Sequence, residues 1–255
     1  MIDIHNHILY NVDDGAGDID ESVEIIKRLK EMGYDKLLLT PHYISNTKYN
    51  VRNSEKEEKL NLIKEKCCEE KIDIDLFLGN EVYIDEDDDI NTLDNIKTLN
   101  GSRYILIELP LTSKNIFVDV YINWLKDKEL IPVIAHPERY ILYYKDFQFF
   151  NELIRKGCLL QGNIGSLYGI YGRRAKKMLK YLLKRDMITF LGTDVHKRTD
   201  KLLKKNFGSI FKKVNKITKS REKTNMLLNE NADKVVNNEF VYSWRKDYDE
   251  RNKND

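Results

Sequence analysis

His5 and His7 stand two residues apart in the opening run Met1-Ile2-Asp3-Ile4-His5-Asn6-His7, with Asp13-Asp14-Gly15 close behind. Ile2 and Ile4 alternate with Asp3, His5 and His7, so an extended strand turns both imidazoles to the same side. Two imidazoles side by side can grip one metal ion; a polar ladder at a strand start can also simply face solvent. The rest of the chain favours the metal. Its five histidines are His5, His7, His42, His136 and His196, and all follow apolar runs, as do Glu81, Glu108 and Asp194. Imidazoles mixed with carboxylates suit Mn, Fe or Zn better than Mg or Ca, whose sites are mostly oxygen.

The elements that must position these groups are short β-branched or leucine-rich runs alternating with helical patterns. Asp20 is placed to cap a helix carrying Val23, Ile26 and Leu29, which Gly33 stops. Lys36 to Thr40 reads as a buried strand ended by Pro41-His42, Ser54 to Glu70 as a polar helix, and Asp73 to Leu78 as a strand closing on Gly79-Asn80-Glu81. The acidic stretch Asp85 to Asp94 reads as a solvated loop. The strand Tyr104 to Ile107 ends on Glu108, the helix Asn115 to Lys128 leads to the strand Ile131 to Ala135, and His136 follows. Helices near Lys145–Lys156 and Arg173–Lys184 precede strands at Leu159–Gln161 and Ile188–Leu191, the latter ending at Gly192-Thr193-Asp194-Val195-His196. Seven strand–helix units of this kind predict an α/β fold, a parallel sheet closed into a (β/α)7 barrel with right-handed crossovers. Every candidate ligand then falls at the C-terminal end of a strand, the face where catalytic groups converge in such barrels.

Composition excludes several classes. The 255 residues are expected to form one domain, 1–255, with 237–255 as a peripheral or frayed tail. Forty-three basic and 42 acidic residues leave a net charge of +1, so no overall field argues for nucleic acid or an anionic membrane. The start lacks a basic and then apolar leader, and no run approaches the roughly 20 apolar residues of a membrane span, so a cytoplasmic protein is expected. Cys67, Cys68 and Cys158 suit neither a disulfide framework nor a zinc site. None begins the C-x5-R motif that a cysteine phosphatase needs, since Asp73, Ile74 and Ile164 stand at the arginine position.

The motifs H-x-H at residues 5–7, T-P-H at 40–42, G-N-E at 79–81, A-H-P-E-R at 135–139 and T-D-V-H at 193–196 resemble those of the polymerase-and-histidinol-phosphatase (PHP) superfamily of metal-dependent phosphoesterases. Within it, DIHNHILYNVDDGA, VIAHPERY and QGNIGSLYG are similar to the bacterial PHP-type protein tyrosine phosphatases. The likeness runs from Met1 to about His196. It implies a distorted (β/α)7 barrel, three divalent metal ions and dephosphorylation of the tyrosine kinases that regulate capsule and exopolysaccharide synthesis. Carried over by position, it implies His5, His7, Glu81 and Asp194 on the first ion. Glu81, Glu108 and His136 would hold the second, and Asp14, His42 and His196 the third; Asp14 stands where many relatives of the superfamily have His and this branch has Asp, with Asp13 beside it as the lesser alternative. Manganese is the first choice of metal, with iron or zinc as alternatives. The expected partner is the phosphotyrosine-bearing tail of such a kinase, with any membrane association only through the kinase.

Charge counting agrees with the resemblance: three divalent cations against four carboxylates leave a formal +2, matched to a phosphate monoester dianion, whereas two would leave the site neutral. An arginine should complete the phosphate clamp. Arg139 is the first candidate, an ion pair with Glu138 or a helix carboxylate being its alternative. Arg198 is a second, although it stands earlier than the family's pattern places it, and Lys201 competes for that part. The cluster Arg173-Arg174-Lys176-Lys177 at a helix start could attract an acidic phosphopeptide. Tyr10, Tyr43, Tyr83, Tyr140 and Tyr168 follow strand ends and could wall a slot for a phosphotyrosine ring or pack against the barrel. The rival readings are a small-molecule phosphatase such as histidinol-phosphate phosphatase, and a metal-loaded protein without catalysis.

Overall fold

The computed structural model describes residues 1–84, 96–114, 116–144 and 146–241, so the acidic run Asp85 to Asp94 and the chain beyond Val241 lie outside the described residues. Strand and helix alternate in the order β1 (Ile2–Asp3), α1 (Ile19–Glu31), β2 (Lys36–Leu39), β3 (His42–Tyr43), α2 (Asn53–Glu69), β4 (Asp75–Leu78) and β5 (Glu81–Tyr83). Then come β6 (Tyr104–Glu108), α3 (Val118–Asp127), β7 (Ile131–Ala135), α4 (Phe147–Arg155), β8 (Leu159–Asn163), α5 (Ile164–Tyr168), α6 (Gly172–Lys184) and β9 (Phe190–Gly192). The chain continues through α7 (Phe207–Thr218), α8 (Arg221–Asn225), a π-turn over Met226–Glu230 and α9 (Asn231–Val236).

All strand pairs are parallel, in two sheets ordered β1-β2-β4 and β3-β5-β6-β7-β8-β9. β2 and β3 form one stave broken at Thr40-Pro41, and β4 and β5 form another broken at Gly79-Asn80, which gives the seven staves expected. The breaks have local causes. Pro41 has no N–H to continue a ladder, and its carbonyl accepts instead from Glu81 N at 3.1 Å and Asn80 Nδ2 at 3.0 Å. A Cβ at Gly79 would come 2.8 Å from Leu99 Cδ2 and 3.1 Å from Leu99 Cα, so glycine lets the chain pass close to Leu99 there. The barrel closes between its ends: Thr193 N and Oγ1 donate to the Asp3 carboxylate at 2.8 and 2.6 Å, Asp194 N to His5 O at 2.8 Å, and His7 N to Val195 O at 2.9 Å.

Alternation along the staves builds two apolar layers. Inside the barrel Leu106 packs with Val133, Ala135 and Phe190, while Ile105, Ile107 and Ile134 face the helices. Helix α1 is capped by Asp18, not Asp20, because the Asp18 side chain accepts from Glu21 N at 2.8 Å while Asp20 pairs with Lys66. Of the expected tail 237–255, only 237–241 are among the described residues. Residues 237–241 dock across the barrel floor, where Tyr104 Oη donates to Glu239 O at 2.7 Å and accepts from Val241 N at 2.8 Å. Val241, Ala232 and Val235 join the inner layer and plug that end. No described helix is long and apolar enough to cross a membrane.

One lysine lies inside this frame. Lys56 on α2 is 1% exposed, and its Nζ donates to Asn80 Oδ1 at 3.0 Å, bracing the break between β4 and β5. Burial, with Lys97 nearby, pulls its pKa down from 10.5 to about 8. A lysine whose folded pKa is depressed destabilises the fold while it must stay charged, fully below pH 8, and the penalty fades as pH rises through 10.5. Lys56→Met should therefore raise the unfolding free energy at pH 7 by on the order of 2 kcal/mol. Denaturant unfolding curves should show that gain shrinking between pH 8 and pH 10.5. A gain that is absent, or that grows with pH, would show the ammonium to be favourably held where it stands.

Candidate metal centre

Six strands deliver polar side chains to one end of the barrel. His5 and His7 follow β1, His42 opens β3, Glu81 opens β5, Glu108 ends β6, His136 follows β7, and Asp194 and His196 follow β9. Asp14 arrives on the loop after β1. Two of these positions have left-handed backbone, His136 at φ 29° and Asp194 at φ 53°. Such geometry costs about 1–3 kcal/mol per non-glycine residue.

Glu81 lies at the centre. Its Oε2 is 3.2 Å from His5 Nε2, 3.1 Å from His7 Nε2 and 3.2 Å from His42 Nδ1, and its Oε1 is 3.0 Å from His136 Nε2. Asp194 Oδ1 is 3.5 Å from Nε2 of both His5 and His7. Glu108 reaches His136 Nε2 at 3.5 Å and His42 Nδ1 at 3.8 Å, while Asp14 Oδ1 reaches His196 Nε2 at 3.5 Å and His42 Nε2 at 3.7 Å. The ligand-type atoms fall into overlapping groups: His5 with His7 and Glu81; His42 with Glu81 and Glu108; and His7 with Asp14, His42 and His196.

The outer nitrogens show which way the lone pairs point. His5 Nδ1 lies 2.8 Å from Gln161 Oε1 and His7 Nδ1 lies 2.7 Å from Asp13 Oδ2, acceptors that make both Nδ1 atoms N–H donors. The two Nε2 lone pairs then face each other across 3.2 Å. Glu81 Oε2 and His42 Nδ1 are buried beside them with no hydrogen-bond partner. Electron pairs aimed at one another at this range repel unless a cation or a proton stands between them. Imidazole nitrogens with carboxylate oxygens are the donor set of a transition-metal site, so the residues present fit a metal cluster.

The electrostatics say the same. Burial pushes the His5 imidazole down, but Glu81 and Asp194 outweigh it and hold it at about 9. Burial disfavours the Glu81 carboxylate, yet His5 and His42 overcome that and keep it well below the usual range. Glu108 is pushed up by burial and by Glu81, and His136 is pushed down to about 4 by burial and by Arg139. Around Glu81 and Asp194 the pocket favours positive charge on the His5 imidazole, whereas His136 beside Arg139 is kept neutral.

At the edge, Arg139 Nη1 donates to Asp194 Oδ2 at 2.8 Å, and its guanidinium lies 4.6 Å over the Tyr171 ring. Tyr171 Oη and Asn163 Nδ2 donate to the same Asp194 oxygen at 3.2 and 2.5 Å. Asn163 is itself held by Glu138, which accepts from Asn163 N at 2.9 Å, and by Gln161 Nε2 at 3.0 Å. The Glu138 alternative for Arg139 is thereby displaced, since that carboxylate serves Asn163 and Ser166.

The structure brings His5, His7, Asp14, His42, Glu81, Glu108, His136, Asp194 and His196 to one place, with Arg139 beside them. It does not bring Arg198, which is exposed and turned to α1, its Nη1 3.4 Å from Glu24 Oε2. The neighbouring cation that reaches the rim is Lys197, whose Nζ donates to Gly15 O. Tyr43 and Tyr140 are core residues, and Tyr168 turns to α7, where its hydroxyl meets Ser209. Aromatic rings that do stand beside the cluster are Tyr171, under Arg139, and Tyr49, 6.2 Å from the His42 ring. The sequence offered Asp13 only as the lesser alternative to Asp14, whereas it stands behind His7 instead, and it gave no role to Gln161, Asn163 or Tyr171. Only Asp13 carried a signal, the D-x-G turn: its Oδ1 accepts from Gly15 N at 2.8 Å, and a Cβ at Gly15 would come 1.9 Å from His7 O.

Residues 1–237 match the family described as capsular polysaccharide synthesis, CpsB/CapC. The chain is 29% identical to the tyrosine-protein phosphatase YwqE of Bacillus subtilis (strain 168), over 95% of this chain and 94% of that one. It is 24% identical to the tyrosine-protein phosphatase CpsB of Streptococcus agalactiae, over 94% of this chain and 100% of the relative. It superposes with a TM-score of 0.85 and 30% identity on a crystal structure from a study of YwqE from Bacillus subtilis and CpsB from Streptococcus pneumoniae, described as metal-dependent tyrosine phosphatases, covering 95% of this chain and 96% of that one. An amidohydrolase from Mycoplasma synoviae shares the fold alone, with a TM-score of 0.53 and 12% identity over 93% of this chain and 86% of its own.

Asp13 offers a test of the centre that leaves the inward-facing donors in place. Losing the carboxylate behind His7 and His42 should cost about 10–100-fold in affinity for divalent transition-metal ions. Calorimetric titration of Asp13→Ala against the parent chain measures it, and equal affinities would mean that the His7–Asp13 contact plays no part in metal binding.

Proposed function

The chain belongs to the CpsB/CapC family of capsular polysaccharide synthesis, and from that premise we propose that it is a metal-dependent protein tyrosine phosphatase acting on the phosphorylated tail of a bacterial tyrosine kinase that governs capsule or exopolysaccharide assembly. The observation that carries this reading is Glu81, a buried carboxylate faced by four imidazoles, with an arginine at the cluster's edge. His5, His7, Glu81 and Asp194 would hold one ion; Glu81, Glu108 and His136 a second, with His42 adjoining both Glu81 and Glu108; and Asp14, His42 and His196 a third. Manganese fits this donor set best, with iron or zinc next. Bound divalent cations supply an acidified water and neutralise phosphoryl oxygens.

The chain's own residues do the rest. Asp13 and Gln161 hold His7 and His5 in the tautomer that aims their Nε2 atoms inward. Arg139 lies over the Tyr171 ring with its Nη1 on Asp194, which leaves the rest of its planar fork for a phosphate. Tyr49, 6.2 Å from the His42 ring, and Tyr171, under Arg139, are the rings we propose to flank a phosphotyrosine. Arg139→Ala should leave metal content intact and lower turnover about 10²-fold, whereas Glu81→Ala should lose metal as well. Metal analysis beside kinetics separates the two, and an Arg139→Ala variant that lost metal, or kept normal turnover, would remove Arg139 from the clamp.

Substrate choice tests the function itself. Phosphotyrosine carries its phosphate about 6 Å farther from the backbone than phosphoserine does, so a cluster recessed below the rim admits the first and excludes the second. Phosphotyrosyl peptides should be hydrolysed with far higher kcat/KM than phosphoseryl ones, with activity abolished by a chelator and restored by Mn²⁺. Comparable rates on the two peptides, or much faster turnover of histidinol phosphate, would replace this reading with a small-molecule phosphatase.

A further inference from the structure

Helix α6 begins directly after Tyr171, the residue under Arg139. The turn Lys201–Lys204 begins directly after Asp200, whose Oδ2 accepts from His196 N at 2.7 Å. Both segments therefore start at the rim of the metal centre and run away from it. Between Gly172 and Lys184, and again between Lys201 and Thr218, the sequence holds twelve Lys and Arg residues and no Asp or Glu. Helix α6 buries Ala175, Met178, Leu179, Leu182 and Leu183 and so turns its cations outward. Among the described residues none of the twelve is ion-paired, whereas Lys30, Lys36, Lys66, Lys97, Lys156 and Lys223 elsewhere all are.

The fold presses these cations together. Lys205 and Lys213 both lie over the Tyr168 ring, at 5.2 and 4.5 Å. Burial, and then Lys176, Lys180, Lys205 and Lys216, push the Lys213 ammonium down from its ordinary range. The chain as a whole has a net charge of only +1, so this face is an accumulation set against an acidic remainder. Like charges crowded without counter-charges destabilise the fold, and an anionic partner relieves them.

We propose that this face is an exosite for a carboxylate-rich segment of the phosphotyrosyl substrate, which runs from the metal centre over the first turn of α6 towards α7. It rests on the phosphatase reading above. Ten of the twelve cations are lysines, point charges that attract a carboxylate chain diffusely and lack the planar fork suited to capturing further phosphates. Continuity with the rim favours a substrate chain over an anionic bilayer, which needs no adjoining active site. The 13 residues of α6 span about 20 Å, the reach of about six extended residues, so the acidic residues should lie within that distance of the phosphotyrosine.

The test compares two phosphotyrosyl peptides that differ only in having four Asp/Glu or four Asn/Gln within six residues of the phosphotyrosine. They are assayed with the metal-loaded enzyme and with the variant Lys176→Gln/Lys180→Gln/Lys213→Gln/Lys216→Gln, which relieves like-charge crowding and so should fold. The parent enzyme should prefer the acidic peptide about tenfold, through KM with kcat unchanged, and lose the preference at about 0.5 M salt. The variant should treat the two alike while hydrolysing p-nitrophenyl phosphate as the parent does. Equal kcat/KM in the parent, or a preference that survives in the variant, overturns the exosite and leaves the phosphatase reading standing. Binding to vesicles containing about 30 mol % phosphatidylglycerol that is lost in the variant, with no discrimination between peptides, overturns it in favour of a membrane face. Failure of the metal-loaded enzyme on both peptides and on p-nitrophenyl phosphate defeats the phosphatase reading itself, and the exosite falls with it.

Discussion

A carboxylate buried to 1% exposure with four imidazole nitrogens within 3.2 Å is not at rest on its own. Glu81 stays ionised there only because positive charge surrounds it, and Asp13 and Gln161 hold the outer nitrogens of His7 and His5 so that their Nε2 atoms point inward. Each group is tolerable because of the others, and all are relieved by divalent cations. The rest of the molecule can be understood as what is needed to hold that arrangement still.

The barrel does so by breaking two of its staves. Pro41 and Gly79-Asn80 interrupt the ladders just before His42 and Glu81, and the strands resume paired to one another, His42 opposite Glu81. That step moves both side chains onto the second sheet, beside Glu108 and His136. Closure by Asp3 and Thr193 then sets His5 and His7 against Asp194. The left-handed backbone at His136 and Asp194 is local strain, held by pairing on the strands that precede them.

Much of this was legible in the chain, for identifiable reasons. The seven staves followed from apolar runs whose period does not depend on distant contacts, and the run Ile131 to Ala135 is a strand over those same residues. The polar residues at strand ends were legible because a parallel barrel sends all of them to one face. What depends on long-range approach was not. Asp18 displaced Asp20 as the cap of α1 because Asp20 is drawn to Lys66 on another helix, and Arg198 was drawn to Glu24. Tyr171 looks like any loop tyrosine until the fold slides it beneath Arg139, and Gln161 gains meaning only when β8 sets it against His5. Residues 237–241 read as a charged tail because nothing local reveals that the Tyr104 hydroxyl waits for their backbone.

Glu81 is the proposed shared ligand of the metal cluster. Anomalous diffraction from crystals grown with Mn²⁺, measured on either side of the manganese edge, tests it most directly. Three peaks should lie within about 4 Å of their neighbours, two of them bridged by the Glu81 carboxylate, one towards His5 and His7 and the other towards His136 and Glu108, with the third between Asp14 and His196. A single peak, or peaks that leave Glu81 uncoordinated, would contradict it.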